Sequence, residues 1–112
     1  MLPKKNRIRE GADFGAICRY SRSFSADGLI LRIRENQLGL VRLGVSVGLK
    51  FSSKAVARNR MKRQVRAFFE QNLARIATSQ DVVVIVGKTW EEKANPGPTI
   101  RQILVKNGLF KE

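Results

Sequence analysis

A chain of 112 residues, 43% of them apolar, can bury one modest core and predicts a single domain over 1–112. Its formal charge of +13 repels itself in the compact state, so it points to a polyanionic partner: RNA, DNA or an anionic membrane. The absence of histidine and the single cysteine exclude His-based acid–base catalysis, catalytic triads, internal disulfides and thiolate zinc clusters.

The nine acids are scattered, and no spacing among them suggests a metal site, although a carboxylate site assembled across the fold stays open. No catalytic residue, protein-held metal or bound cofactor is therefore predicted. The longest apolar run, VVVIV (Val82 to Val86), is far short of the ~20 residues of a spanning helix. The start MLPKKNRIREGADF has no apolar stretch after it, so no signal or transit peptide is expected. Lone Cys18 suits a reducing compartment, and a cytoplasmic protein with no membrane partner is expected.

In chain order, Gly11 to about Tyr20 predicts a short helix with Phe14, Ile17 and Cys18 on one stripe. SRSFSADG reads as a break, LILRIR (Leu29 to Arg34) as a strand and VRLGVSVGLK (Val41 to Lys50) as a second. Alternation puts Leu29, Leu31, Ile33, Leu43, Val45, Val47 and Leu49 on a core face. The other face carries Ile30, Arg32, Arg34, Gly44, Ser46, Gly48 and Lys50. Such small or cationic residues leave room for something to lie there, although a solvated face or one covered by the first helix fits the same pattern.

Ser52 and Ser53 are candidate caps for a helix running to about Ile76 or Ala77. Met61, Val65, Phe68, Phe69 and Ile76 lie on its inner side. Asn59, Arg60, Arg63 and Arg66 lie largely outside, with Lys62 on the border and Arg58 toward the apolar side. VVVIV has no alternation and predicts a central strand buried on both faces. KTWEEKANPGP reads as a loop. Thr99 to about Asn107 predicts a last helix capped by Gly108. The result is an α/β sandwich, one small domain in α-β-β-α-β-α order, with a βαβ unit if the strands flanking the long helix are parallel. General rules make such a crossover right-handed.

No acid stands between Glu35 and Glu70, while KAVARNRMKRQVR (Lys54 to Arg66) alone has six lysines or arginines. The arginine fork matches phosphate oxygens in pairs. The helix thus reads as a rigid rack of phosphate contacts held from behind by Met61, Val65 and Phe68. A basic helix kept for solubility is the plainer alternative, but solubility does not require one sign on one face. Helix-turn-helix order and metal ligands are both missing, which argues against a DNA partner. A cationic sheet face suits single-stranded RNA better.

LGVSVGLKFSSKAVARNRMKRQVRAFF (Leu43 to Phe69) resembles the signature region of the bacterial ribonuclease P protein subunit, above all in AVARNRMKRQVR. KKNRIREGADFGAI and DVVVIVGK resemble the family's first helix and later strand. The resemblance implies a subunit that binds the ribonuclease P RNA through its arginine-rich helix. It implies a cleft for the 5′ leader of precursor tRNA and chemistry carried by the RNA with magnesium. It also implies a left-handed βαβ crossover, against the general rule. By position it assigns Arg58, Asn59, Arg60, Lys62, Arg63 and Arg66 to the RNA-binding helix, flanked by Lys50 and Lys54. It assigns Phe14, Cys18, Arg32, Ser46 and Gly48 to the leader cleft. Cys18 stands where the family often has a second aromatic and Arg32 where it often has tyrosine, so this cleft relies more on charge. A ribosomal-type RNA-binding protein and a stand-alone nuclease are the competing readings. The first lacks this helix motif and the second lacks catalytic residues.

Overall fold

In a computed structural model, which describes residues 2–8 and 12–111, the chain forms helix α1 (Ala12–Arg19), strands β1 (Arg22–Ala26), β2 (Leu29–Glu35) and β3 (Arg42–Val47), helix α2 (Ala55–Asn72), strand β4 (Gln80–Val86) and helix α3 (Gly97–Lys106). The sheet order is β1-β2-β4-β3. β4 pairs antiparallel with β2 and parallel with β3, so β3-α2-β4 is the expected βαβ unit. The start of the predicted first helix, Gly11, lies outside the described residues.

The register explains the core. Leu31, Val84 and Val45 lie in one row across β2, β4 and β3, as do Ile33, Val82 and Leu43. Their shared face packs against Met61, Val65 and Phe69 of α2 and Ile100 and Leu104 of α3. Each such side chain removed from water contributes about 1.5–3 kcal/mol. The opposite face holds Val83 and Ile85, which α1 covers with Ile17, Phe14 and Cys18. Helices on both faces leave β4 buried from Gln80 to Val84, as its unalternating sequence predicts.

Several boundaries differ from the sequence reading. SRSFSADG is not merely a break, because it contains β1, and the order becomes α-β-β-β-α-β-α. Its polar residues suit an edge strand on which Arg22, Ser23 and Ser25 are exposed. Asp27 (φ 53) and Gly28 (φ 90) join β1 to β2 in a two-residue turn that needs positive φ at both positions, and Asp-Gly favours this. Neither Ser52 nor Ser53 caps α2. Lys54 occupies the N-cap with no side-chain bond, and the Ser52 hydroxyl accepts the Lys54 N–H at 3.1 Å. Leu49 is not in the core but 72% exposed, since β3 ends at Val47 and the chain turns back with the Phe51 N–H on the Gly48 carbonyl. Phe51 is buried instead.

The α-helical part of α2 stops at Asn72, where Leu73–Arg75 tightens into a 3-10 turn. Ile76 is still buried. α3 begins two residues before the predicted start, with Pro98 in its first turn. Gly108 closes it as expected at φ 71, with the Leu109 N–H on the Leu104 carbonyl at 2.8 Å.

Candidate nucleic-acid interface

Ala57, Met61, Val65 and Phe69 form the buried stripe of α2, a spacing of four that keeps one side of a helix inward. The charged residues then divide. Asn59, Arg63 and Arg66 are exposed, Lys62 is half-buried, and Lys50 and Lys54 are exposed before the helix. Arg60 is half-buried, and its Nε is shielded from solvent without a hydrogen-bond partner. Arg58 Nη1 donates to the Ser52 carbonyl at 2.9 Å and ties the loop to the helix. The first turn of α2 has no acidic residue, so its free N–H groups and positive dipole end are uncompensated there.

A cleft of 350 Å³ opens beside β3, lined by Arg7, Ile8, Phe14, Gly44, Ser46 and Arg66 among others. The N-terminal segment forms one wall. The Asn6 side chain donates to the Val41 carbonyl at 2.7 Å, and the Ile8 N–H donates to the Leu43 carbonyl at 2.9 Å. The Phe14 ring lies over Gly44, where an added Cβ would stand 3.1 Å from the ring. The missing side chain at 44 lets an aromatic settle on the strand. Arg66 comes from α2, so the helix's outer face and the cleft share a residue.

The structure thus brings Phe14 and Ser46 together. Cys18 and Arg32 lie farther along the same sheet face, where Arg32 Nη1 donates to the Cys18 carbonyl near the end of α1 at 3.1 Å. Gly48 is exposed beyond β3. Arg7 and Gly44 are lining residues that the sequence reading did not single out as cleft residues. Arg7 was visible only as part of a basic N-terminus, and Gly44 only as a small residue on the open face.

The same face carries an ionic row around the buried Asp81. Arg34, Asp81 and Arg42 are register partners. Asp81 accepts from Arg42 Nε at 2.7 Å and Nη2 at 2.8 Å and from Asn36 at 2.8 Å, with Arg34 Nη2 3.5 Å away. Burial pushes the Asp81 carboxyl up, but the hydrogen bonds from Arg42 and Asn36 and the two guanidinium charges outweigh it and hold the group below its ordinary value.

The Ribonuclease P family model matches residues 2–103. The chain is 30% identical to the ribonuclease P protein component of Mycoplasma capricolum over 99% of this chain and 98% of that one. It is 34% identical to that of Clostridium kluyveri over 94% and 96%. The RNase P protein of Staphylococcus aureus superimposes with a TM-score of 0.84 at 26% identity, covering 95% of this chain and 98% of that one. A mutant of it with defective mRNA degradation activity gives 0.85 at 26% identity over 96% and 92%. The Thermotoga maritima RNase P protein gives 0.75 at 33% identity over 90% and 93%.

Proposed function

The chain belongs to the ribonuclease P protein family, the protein components of an endoribonuclease that processes tRNA, and from that membership we propose how it takes part. It binds the ribonuclease P RNA through the outer face of α2, with Arg63 and Arg66 as principal phosphate contacts. It holds the 5′ leader of precursor tRNA in the cleft beside β3. The bond is cut by the RNA with magnesium, and the protein works in the cytoplasm without membrane or DNA.

The observation that carries this reading is Arg66, which is exposed on α2 and lines the cleft with Phe14. One continuous cationic surface then runs from a helix built for phosphates to a groove with a stacking ring, as a single strand leaving a folded RNA requires. In this reading the chain's part is affinity and placement.

Cleavage of precursor tRNA at low magnesium tests this in three reactions: protein alone, bacterial ribonuclease P RNA alone, and both. Cleavage is expected only in the combined reaction. The S. aureus protein has a mutant defective in mRNA degradation, which gives the protein-alone reaction added weight. Cleavage there overturns the assignment of chemistry to the RNA.

A further inference from the structure

The flank of α2 away from the cleft meets α3 around a groove of 530 Å³, lined by Gln64, Ala67, Phe68, Gln71, Pro98 and Gln102 among others. We infer that this groove receives an unpaired nucleotide of the RNA that α2 binds, a contact separate from the leader cleft; the inference rests on the RNA-binding reading above.

Three glutamine amides converge from two helices. Each offers a donor and an acceptor, the combination that a base edge needs. Phe68 supplies an aromatic surface. Its ring is held edge-on to Phe69 at 5.5 Å and stacked with Phe110 at 6.2 Å, so it is already fixed for a base to pack on. Gly97 brings the start of α3 close, since a Cβ there would stand 3.4 Å from Phe68 Cδ1. Arg101 also lines the groove, its guanidinium over Phe110.

The volume falls in the range of small-ligand sites. A protein partner finds few large apolar anchors here, as Phe68 and Pro98 are the only ones among the described lining residues. Position links the groove to the phosphate rack. Arg60 and Arg63 stand one helical turn before Gln64 and Ala67, on the same sides of α2. A strand whose phosphates rest on those arginines has its next base over Phe68.

The test is site-directed crosslinking in the assembled holoenzyme. A photoreactive azidophenacyl group is placed on Gln102→Cys in a Cys18→Ser background, and on Asn59→Cys as the comparison. Both are bound to bacterial ribonuclease P RNA. Crosslinks from both positions, with the Gln102→Cys site marking one or a few unpaired nucleotides, are expected. Crosslinking from Asn59→Cys alone overturns the groove and leaves the helix reading standing. Crosslinking from neither overturns both. Independently, Gln71→Leu with Gln102→Leu should weaken RNA binding about tenfold, the size of one lost bidentate base contact, without changing the preference for precursor over mature tRNA. Unchanged RNA affinity in a folded variant overturns the proposal.

Discussion

Arg66 and Phe14 stand on different helices, α2 and α1, yet line the same cleft beside β3. On the reading proposed above, a cation for phosphate and a ring for a base would act on one strand. Neither helix creates that pairing alone, because it depends on α1 and α2 lying on opposite faces of the sheet, with Phe14 reaching over Gly44 of edge strand β3.

Arg63→Ala with Arg66→Ala should weaken binding to ribonuclease P RNA at least tenfold while changing stability by no more than about 0.5 kcal/mol, as both side chains are exposed. If each exposed cation neutralises one phosphate, losing two should make the log–log salt slope shallower by about 1.4–1.8. Filter binding across a salt series, with a melting curve for each protein, checks both parts. Arg60 is left out of this pair because its half-buried guanidinium mixes packing with RNA contact.

Gly44→Ala should reduce affinity for precursor tRNA more than for mature tRNA. The new methyl would stand 3.1 Å from Phe14 Cε2 and 3.3 Å from Cδ2, so the ring must give by a few tenths of an ångström, at a cost of about 1 kcal/mol. Equal losses on the two tRNAs in a holoenzyme binding assay would show that Phe14 does not touch the leader.

Arg32→Glu should likewise lower precursor affinity selectively, but through placement. Its guanidinium holds the Cys18 carbonyl, and losing that bond costs about 1–2 kcal/mol and frees α1, which carries Phe14. Amide exchange near the end of α1 should quicken in the free protein. Unchanged exchange together with lost affinity would instead indicate direct leader contact.

Asp81→Asn should destabilise the fold by about 3–5 kcal/mol at neutral pH, because it removes the buried carboxylate that accepts from Arg42 and faces Arg34. The folded carboxyl titrates below its unfolded value. Its contribution is therefore complete above the unfolded pKa of about 3.9 and is lost as pH falls through the folded one. Denaturant melts of both proteins from pH 6 downward should converge in acid. A constant gap over that range would remove Asp81 from the acid response.

Met61→Ala should cost about 2–5 kcal/mol, since Met61 is fully buried at the centre of the α2 stripe. At a temperature where the variant is still folded, its RNA affinity should be close to that of the parent chain. A large affinity loss in the folded variant would mean that the inner stripe contributes more than support.

Much of the architecture was legible because it follows from local periodicity. The spacing of Ala57, Met61, Val65 and Phe69 assigns a helix and its inner side. Alternation in LILRIR shows which residues face the core, and the unbroken VVVIV marks the central strand. The edge strand β1 was not legible in the same way, because an edge needs few apolar residues and its serines look like a loop. The Asp27-Gly28 turn was the signal for it. Leu49 misled because alternation does not reveal where a strand ends, and the Gly48–Phe51 turn moves burial to Phe51.

The same division holds for the function surface. The run of cations without acids, the lack of histidine and the motif AVARNRMKRQVR were determined by the sequence itself, since charge and residue type do not depend on folding. Which cations stand exposed was decided only by tertiary structure. Arg58 turns back to Ser52, Arg60 is half shielded, Arg66 joins the cleft, and Arg32 holds α1. Arg7 joins Phe14 and Gly44 at the cleft only because the N-terminal segment lies along β3. Periodicity tells a residue which way to face along its own element, but the sites form where elements meet, and the packing of the sheet edge settles those distances.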